Sequence, residues 1–270
     1  MNKNILLYFS IAALLLLTGC KNATVDNRHL VKISTNYGDI EVVLYNETPK
    51  HTLNFINLTD QRFYDGQIFH RVIKNFVIQA GDPETKNSQP GKEYGEKDSG
   101  YLIDPEFCDT IIHKYGAIGM ARESDDINPD KLSSGSQFYI VIGKVYTNEE
   151  LDNLEKKINF EKLNKIKQDL YKKYLNENTA VSDKNIKDIL ILIENMVDSV
   201  KSSEKPFIFT NKQREIYTTI GGIPHLDGNY TVFGEVSKGM DIVKKISEVK
   251  TDQNDRPLVD IVINEVKKIR

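Results

Sequence analysis

Between Val31 and Val266 the chain breaks repeatedly into short apolar runs, each closed by glycine or a turn-forming pair, and that rhythm leaves few folds open. VKISTNYGDIEVVLY begins the series: Val31 and Ile33, then Ile40, Val42 and Leu44, alternate with polar residues around Asn-Tyr-Gly-Asp, which predicts a hairpin with one buried face. TPKHTLNFINLTDQ follows, with Thr48 at the N-cap, Pro49 at the first helical position and Leu53 and Ile56 on one side. It predicts a short helix covering a sheet. Then come IFHRVI, FVIQAG, GAIGMA, SQFYIVIG, YTVFGEV and LVDIVINEV. Many short strands with few helices predict a mainly β chain rolled into a closed antiparallel barrel.

One segment, residues 147–219, departs from this rhythm. Leu151, Leu154, Ile158, Leu163, Ile166, Leu170 and Tyr174 recur at helical spacing among lysines and glutamates, and Ile186, Ile189, Leu190, Ile193, Met196, Val197 and Val200 form a second amphipathic run capped by Ser182. NKQREIYTTI adds a third short helix. The segment is therefore an inserted helical subdomain within a domain spanning residues 30–270, its apolar stripes packing on each other and on the barrel.

The N-terminus carries Lys3, an apolar run from Ile5 to Leu17, and then Leu-Thr-Gly-Cys. The run is short for a membrane span and has the form of a secretory signal, residues 1–19. Its ending resembles the bacterial lipobox, which implies cleavage before Cys20, lipidation of that thiol and firm attachment to a membrane. Residues 20–29 would be the lipidated cysteine and a polar tether. Lys21 in place of an aspartate fits sorting to the outer membrane, with the protein on its periplasmic face. With Cys20 lipidated only Cys108 remains, so no internal disulfide can form and the fold rests on packing. A formal net charge of −3 and 28% charged residues give no sign of nucleic-acid binding.

Three separated stretches carry the chemistry: FHRVIKNFVIQAGD at residues 69–82, SSGSQFYIVIG at 133–143 and PHLDGNYTVFGEV at 224–236. Together, in this order, they resemble the signature of cyclophilins, the peptidyl-prolyl cis/trans isomerases, and the first stretch matches the family's F-H-R-x-I-x-x-F-x-x-Q-x-G-D pattern at every fixed position. The resemblance covers residues 30–146 and 220–270 and implies an eight-stranded antiparallel barrel capped by two helices. It implies a catalytic arginine at Arg71 assisted by Gln79, and a substrate groove lined by Phe76, Val77, Ala121, Gln137, Tyr139, His225, Leu226 and Tyr230. The implied substrates are proline-containing unfolded or partly folded polypeptides, here exported ones, and the implied enzyme is a monomer without cofactor. The other reading is a catalytically weak module that holds proline-containing segments. Since Arg71 has no obvious acidic neighbour in its own stretch, its partner on this reading is the substrate amide, rather than a distant acid such as Asp82.

Three positions differ from the best-known members of that family. His225 stands where many have tryptophan, Tyr230 where many have histidine, and Tyr139 where many have phenylalanine. The replacements remain flat and partly apolar, so a proline pocket survives, while loss of an indole removes surface and an N–H donor that cyclosporin would use. His29, His51, His70, His113 and His225 show no metal-ligand spacing. The helical insertion leaves the chain just after Tyr139 and returns just before His225, so its base should stand beside the groove.

Overall fold

The computed structural model describes residues 28–177, 183–203 and 205–270. The signal sequence, Cys20, most of the tether and Ser182 lie outside the described residues. Among the described residues ten strands form: β1 (Leu30–Thr35), β2 (Gly38–Leu44), β3 (Arg71–Val72), β4 (Val77–Ala80), β5 (Leu102–Ile103), β6 (Ala117–Met120), β7 (Ser133–Ser134), β8 (Phe138–Val141), β9 (Val232–Lys238) and β10 (Ile263–Lys268). Five helices accompany them: α1 (Pro49–Asp60), α2 (Asn148–Glu177), α3 (Asp183–Ser203), α4 (Asn211–Thr219) and α5 (Met240–Ser247).

Eight strands make one antiparallel sheet in the order β10-β1-β2-β9-β6-β8-β4-β3, while β5 and β7 form a separate two-stranded ribbon. The sheet is strongly curled but open, which corrects the expected closed barrel. Its edge strands β3 and β10 do not pair; the seam holds a single bridge between Ile68 and Val262 and a few backbone bonds, such as Phe69 N–H to the Ile261 carbonyl at 3.0 Å. IFHRVI yields only two strand residues, Arg71 and Val72. Register shifts at Ser34/Thr35, Glu41/Val42 and Ile118/Gly119 supply the curl.

The curl encloses the main core. On the three adjacent strands β6, β8 and β4 even-numbered residues point inward: Ile78 and Ala80 of β4, Ile118 and Met120 of β6, and Phe138 and Ile140 of β8 all belong to it. Phe55 of α1 meets Tyr64, Phe138 and Phe233 there, with ring centroids 5.0 to 5.4 Å apart. The buried positions of α1 include Thr52, Phe55, Ile56 and Thr59, one helical face, whereas Leu53 is exposed, contrary to the pairing read from the sequence. Pro49 opens the helix as expected, but Thr48 makes no side-chain cap. Instead the Glu106 carboxylate accepts from Lys50 N–H and His51 N–H at 3.1 and 3.0 Å, placing negative charge on the helix N-terminus. α5 covers the other side of the core with Val243 and Ile246.

Odd-numbered residues of the same strands point outward, and there the insertion begins. Its base is a cluster of Ile112, Leu151, Phe209 and Tyr217, tied by Glu155, which accepts from Phe209 N–H and Arg214, and by the capping box of Thr210 and Gln213. Farther out, α2 and α3 pack through Lys167 with Glu194 and Tyr174 with Met196, burying Ile193 and Val197.

Candidate active site

Antiparallel register sets the site. Arg71 on β3 pairs with Gln79 on β4, Gln79 with Tyr139 on β8, and Tyr139 with Gly119 on β6, so four residues distant in sequence form one row across the outer face. Glycine at 119 is dictated by the ring above it: a Cβ there would lie 2.6 Å from Tyr139 Cζ. Below and beside the row, Val77, Ala117, Tyr139, Val141, Ile223, Leu226 and Val232 form a second apolar cluster, with Phe76, Ala121 and Tyr230 packed against it. These strands are buried on both faces because this groove floor backs onto the main core.

The apolar end is lined by flat groups. The rings of Phe76 and His225 are nearly parallel, 6.1 Å between centroids and 3° between planes; Tyr139 and Tyr230 meet edge to face at 6.1 Å. Burial depresses the His225 pKa, and the charge of Lys157 adds to this. The polar end is held by amides. Gln79 Nε2 donates to Gln137 Oε1 at 2.9 Å, and Gln137 Nε2 donates to the carbonyls of Gly95 and Lys97 at 2.7 and 2.8 Å. Asp82 fixes that loop: buried, it accepts from Glu84, Gly95 and Lys97 N–H groups, so it anchors the backbone and does not pair with Arg71.

Arg71 is less enclosed than its stretch suggests. Its side chain is 43% exposed, and its Nε lies 3.7 Å from Asp255 Oδ2, a carboxylate itself 42% exposed. The expectation of no protein carboxylate partner is thereby corrected, although at that distance the pair is a loose one. All ten residues read from the motifs thus gather on one face: Arg71, Gln79 and Gln137 at its polar end, and Phe76, Val77, Ala121, Tyr139, His225, Leu226 and Tyr230 at its apolar end.

Sequence reasoning missed what lies beneath. His113 Nε2 is 2.9 Å from Tyr139 Oη, its Nδ1 is 2.8 Å from Asp227 Oδ1, and Tyr217 Oη donates to Asp227 Oδ2 at 2.5 Å. This relay runs from the groove floor to α4 of the insertion. Burial, with the Tyr230 and Asp227 charges adding to it, holds the Tyr139 phenol well above its ordinary pKa. The hydroxyl of Tyr139, inside an otherwise apolar strand, was the available signal, because a buried phenol requires a partner. His70, beside Arg71, is buried with neither ring nitrogen bonded, and burial pushes its pKa down to about 4. Cys108 is partly exposed near Thr110. Among the described residues no group of three or more His, Cys, Asp or Glu could hold a metal ion.

A fold of this kind is found in solved structures. A Cryptosporidium parvum cyclophilin-type peptidyl-prolyl cis-trans isomerase superposes with a TM-score of 0.54 at 21% identity, covering 90% of this chain and 98% of that one. The chain belongs to the cyclophilin-type peptidyl-prolyl cis-trans isomerase family, whose profile matches residues 30–194 and 163–268. A Staphylococcus epidermidis protein named as a peptidyl-prolyl cis-trans isomerase is 27% identical over 242 residues, 89% of this chain and 92% of that one. A Streptococcus pyogenes protein named as a bifunctional phosphatase/peptidyl-prolyl cis-trans isomerase is 28% identical over 248 residues, which are 88% of this chain and 38% of that longer protein.

Proposed function

We propose that this isomerase acts on X-Pro bonds of exported polypeptides, with Arg71 as the catalytic group, Gln79 and Gln137 holding the peptide backbone, and the proline seated among Phe76, Tyr139, Leu226 and Tyr230. The observation that carries this reading is the cross-strand row: a donor fork, two amides and an apolar pocket share one face in register. A Cryptosporidium parvum cyclophilin-type isomerase crystallised in the presence of the dipeptide Ala-Pro, 21% identical with a TM-score of 0.53, supports the substrate class.

The reaction breaks no bond. Its barrier is the delocalisation of the prolyl nitrogen lone pair into the carbonyl, and the uncatalysed step takes tens to hundreds of seconds. A donor set against that nitrogen bonds it better once the amide has twisted and conjugation is lost, so the interaction favours the transition state. Reaching milliseconds needs roughly ten-thousandfold acceleration, about 5.5 kcal/mol. One charge-assisted hydrogen bond supplies about 1.5 to 3 kcal/mol; the remainder must come from holding the twisted proline in the pocket. The first test is protease-coupled isomerisation of an Ala-Pro tetrapeptide: acceleration over the uncatalysed rate is expected, and its absence from folded protein would overturn the reading.

Lipidation at Cys20 would tether the enzyme at the periplasmic face of the outer membrane. Labelled palmitate incorporated by the wild type and lost in Cys20→Ser tests the lipid, and fractionation tests the place.

Inhibition by cyclosporin is expected to be weak. His225 offers a smaller ring than an indole and is already set parallel to Phe76, which should weaken binding by roughly ten- to a hundredfold. Inhibition by sub-micromolar drug would contradict this.

The outer part of the insertion offers clients a further surface. Ile186, Leu190, Ile191 and Leu192 of α3 and Phe160 of α2 are exposed large apolar residues. Removing the whole insertion would uncover Ile112 and strand Asp227, so the informative cut lies beyond the Lys167–Glu194 pair. Replacing residues 169–192 with a short Gly-Ser linker should leave tetrapeptide turnover within about twofold of wild type while lowering suppression of aggregation of an unfolded client. Equal suppression would exclude that role.

A further inference from the structure

A second opening joins the proline pocket. Ile111 and Tyr230 pack on the apolar cluster of the groove and Val232 belongs to it, and the same three residues line a cleft of about 330 Å³. The loop before β6 adds Phe107 to its lining, and the base of the insertion adds Phe207 and Ile208. The insertion therefore reaches the substrate groove through this cleft as well as through the relay to Tyr217.

Two large apolar side chains of the cleft stand in water. Phe107 is 41% exposed and Ile208 62%, on segments about a hundred residues apart in sequence. Ile208 is held there, because the chain is anchored on either side of it. Asn159 of α2 takes both backbone groups of Phe207, its Oδ1 accepting from the N–H at 2.7 Å and its Nδ2 donating to the carbonyl at 2.9 Å. Glu155 accepts from Phe209 N–H at 2.7 Å, and the buried Phe209 ring meets that of Phe207 edge to face at 4.9 Å. Between these anchors the N–H and carbonyl of Ile208 make no hydrogen bond among the described residues. An exposed apolar side chain on a segment ordered in advance binds without a further cost of ordering.

The polar groups of the cleft are mostly satisfied within the chain. Glu106 is occupied by the N–H groups that open α1, Asp227 by His113 and Tyr217, and Thr210 and Gln213 by each other. Asp109 also lines the cleft and forms no ion pair among the described residues, which disfavours an acidic occupant. What the cleft offers a ligand is apolar surface continuous with the proline pocket, beside a backbone edge that suits an extended peptide.

We infer that this cleft receives a large apolar side chain of the client, so that the enzyme favours X-Pro bonds flanked within a few residues by Leu, Ile or Phe. The base of the insertion is thereby part of the substrate site. The inference rests on the isomerase reading and names a substrate class for that site. Continuity selects the occupant: a chain whose proline sits against Tyr230 runs past Tyr230 and Val232 into the cleft.

The test uses the purified chain and proline peptides that differ only in carrying Leu or the near-isosteric Asn at one position, scanned along both flanks of the X-Pro bond. Turnover is measured together with the rate at which iodoacetamide alkylates Cys108, which lines the cleft and is partly exposed, followed by mass spectrometry. At the best position Leu should be preferred by about fivefold to tenfold in kcat/KM, and the Leu peptide should slow alkylation where the Asn peptide does not. The preference should persist as salt rises, since no charge carries it. In Ile208→Ser, and separately in Phe107→Ser, the Leu-to-Asn ratio should fall toward one, with melting curves confirming that each variant is folded. Equal turnover of both peptides at every position by active protein would overturn the inference and leave the isomerase reading intact, as would a preference unchanged in both variants. Alkylation slowed by the Leu peptide in a protein that turns over neither peptide would keep the cleft and overturn the isomerase reading instead. Alkylation slowed by protein concentration alone, or by phosphatidylglycerol vesicles alone, would give the cleft to a second copy of the chain or to a membrane and overturn the inference.

Discussion

Arg71→Ala should lower kcat/KM for an Ala-Pro tetrapeptide by between about tenfold and about a hundredfold while leaving the fold unchanged. The separation of the two effects follows from position. The Arg71 side chain is 43% exposed and its ion pair with Asp255 is long, 3.7 Å between two solvated groups, so its removal costs little stability. Catalysis has no such alternative. If the guanidinium bonds the prolyl nitrogen only as the amide twists, the loss appears in kcat, with KM little changed, because the planar ground state never made that bond. Arg71→Lys keeps a positive charge but not the planar fork of donors, and should recover only part of the rate. Melting curves of all three proteins should coincide within a few degrees. An Arg71→Ala protein with wild-type turnover would remove Arg71 from the mechanism; a wild type without turnover would make the groove a holding site for proline segments.

How far the sequence foretold this arrangement depends on the reach of each interaction. The β1–β2 hairpin was legible because its alternation is local and one face is buried, and α4 because the stretch NKQREIYTTI is itself local. The row of Arg71, Gln79 and Tyr139 was legible only through motifs, since register between β3, β4 and β8 joins segments that periodicity does not relate. Partners supplied from a distance were missed. Glu106 caps α1 from across the chain, Asp255 approaches Arg71 from near the C-terminus, and Tyr217 reaches Asp227 out of the insertion. The closed barrel failed for a related reason: strand-forming composition in IFHRVI and LVDIVINEV says nothing of whether their edges meet in a ladder, and here they meet at one bridge. Leu53 shows the limit of a short apolar pattern: Ile56 is buried as read, but the buried face is centred on Phe55 and leaves Leu53 at its exposed margin.

Asp227→Ala should destabilise the protein by about 3 to 5 kcal/mol, the largest stability loss expected of a single polar substitution here. The carboxylate accepts from His113 N–H and lies 2.8 Å from His113 Nδ1, and it accepts from Tyr217 O–H at 2.5 Å. The carboxylate at Nδ1 also sets how the ring faces the Tyr139 hydroxyl, 2.9 Å from Nε2. With alanine at 227, three donors in a largely dry site lose their acceptor, and His113 loses the group that orients its ring. For a domain of this size the loss corresponds to a fall in Tm of roughly 10 °C. Because Tyr217 belongs to α4, the damage should spread to the insertion, seen as faster proteolysis between residues 205 and 220. Adding Tyr217→Phe to Asp227→Ala should cost less than the two single effects together, since the second substitution removes one of the stranded hydroxyls. Activity should fall as well, because the Tyr139 ring forms the pocket floor and its hydroxyl is held by the same chain of bonds. A Tm for Asp227→Ala within about 2 °C of wild type would show that water replaces the carboxylate at no cost, and that the relay ties the insertion to the groove only in appearance.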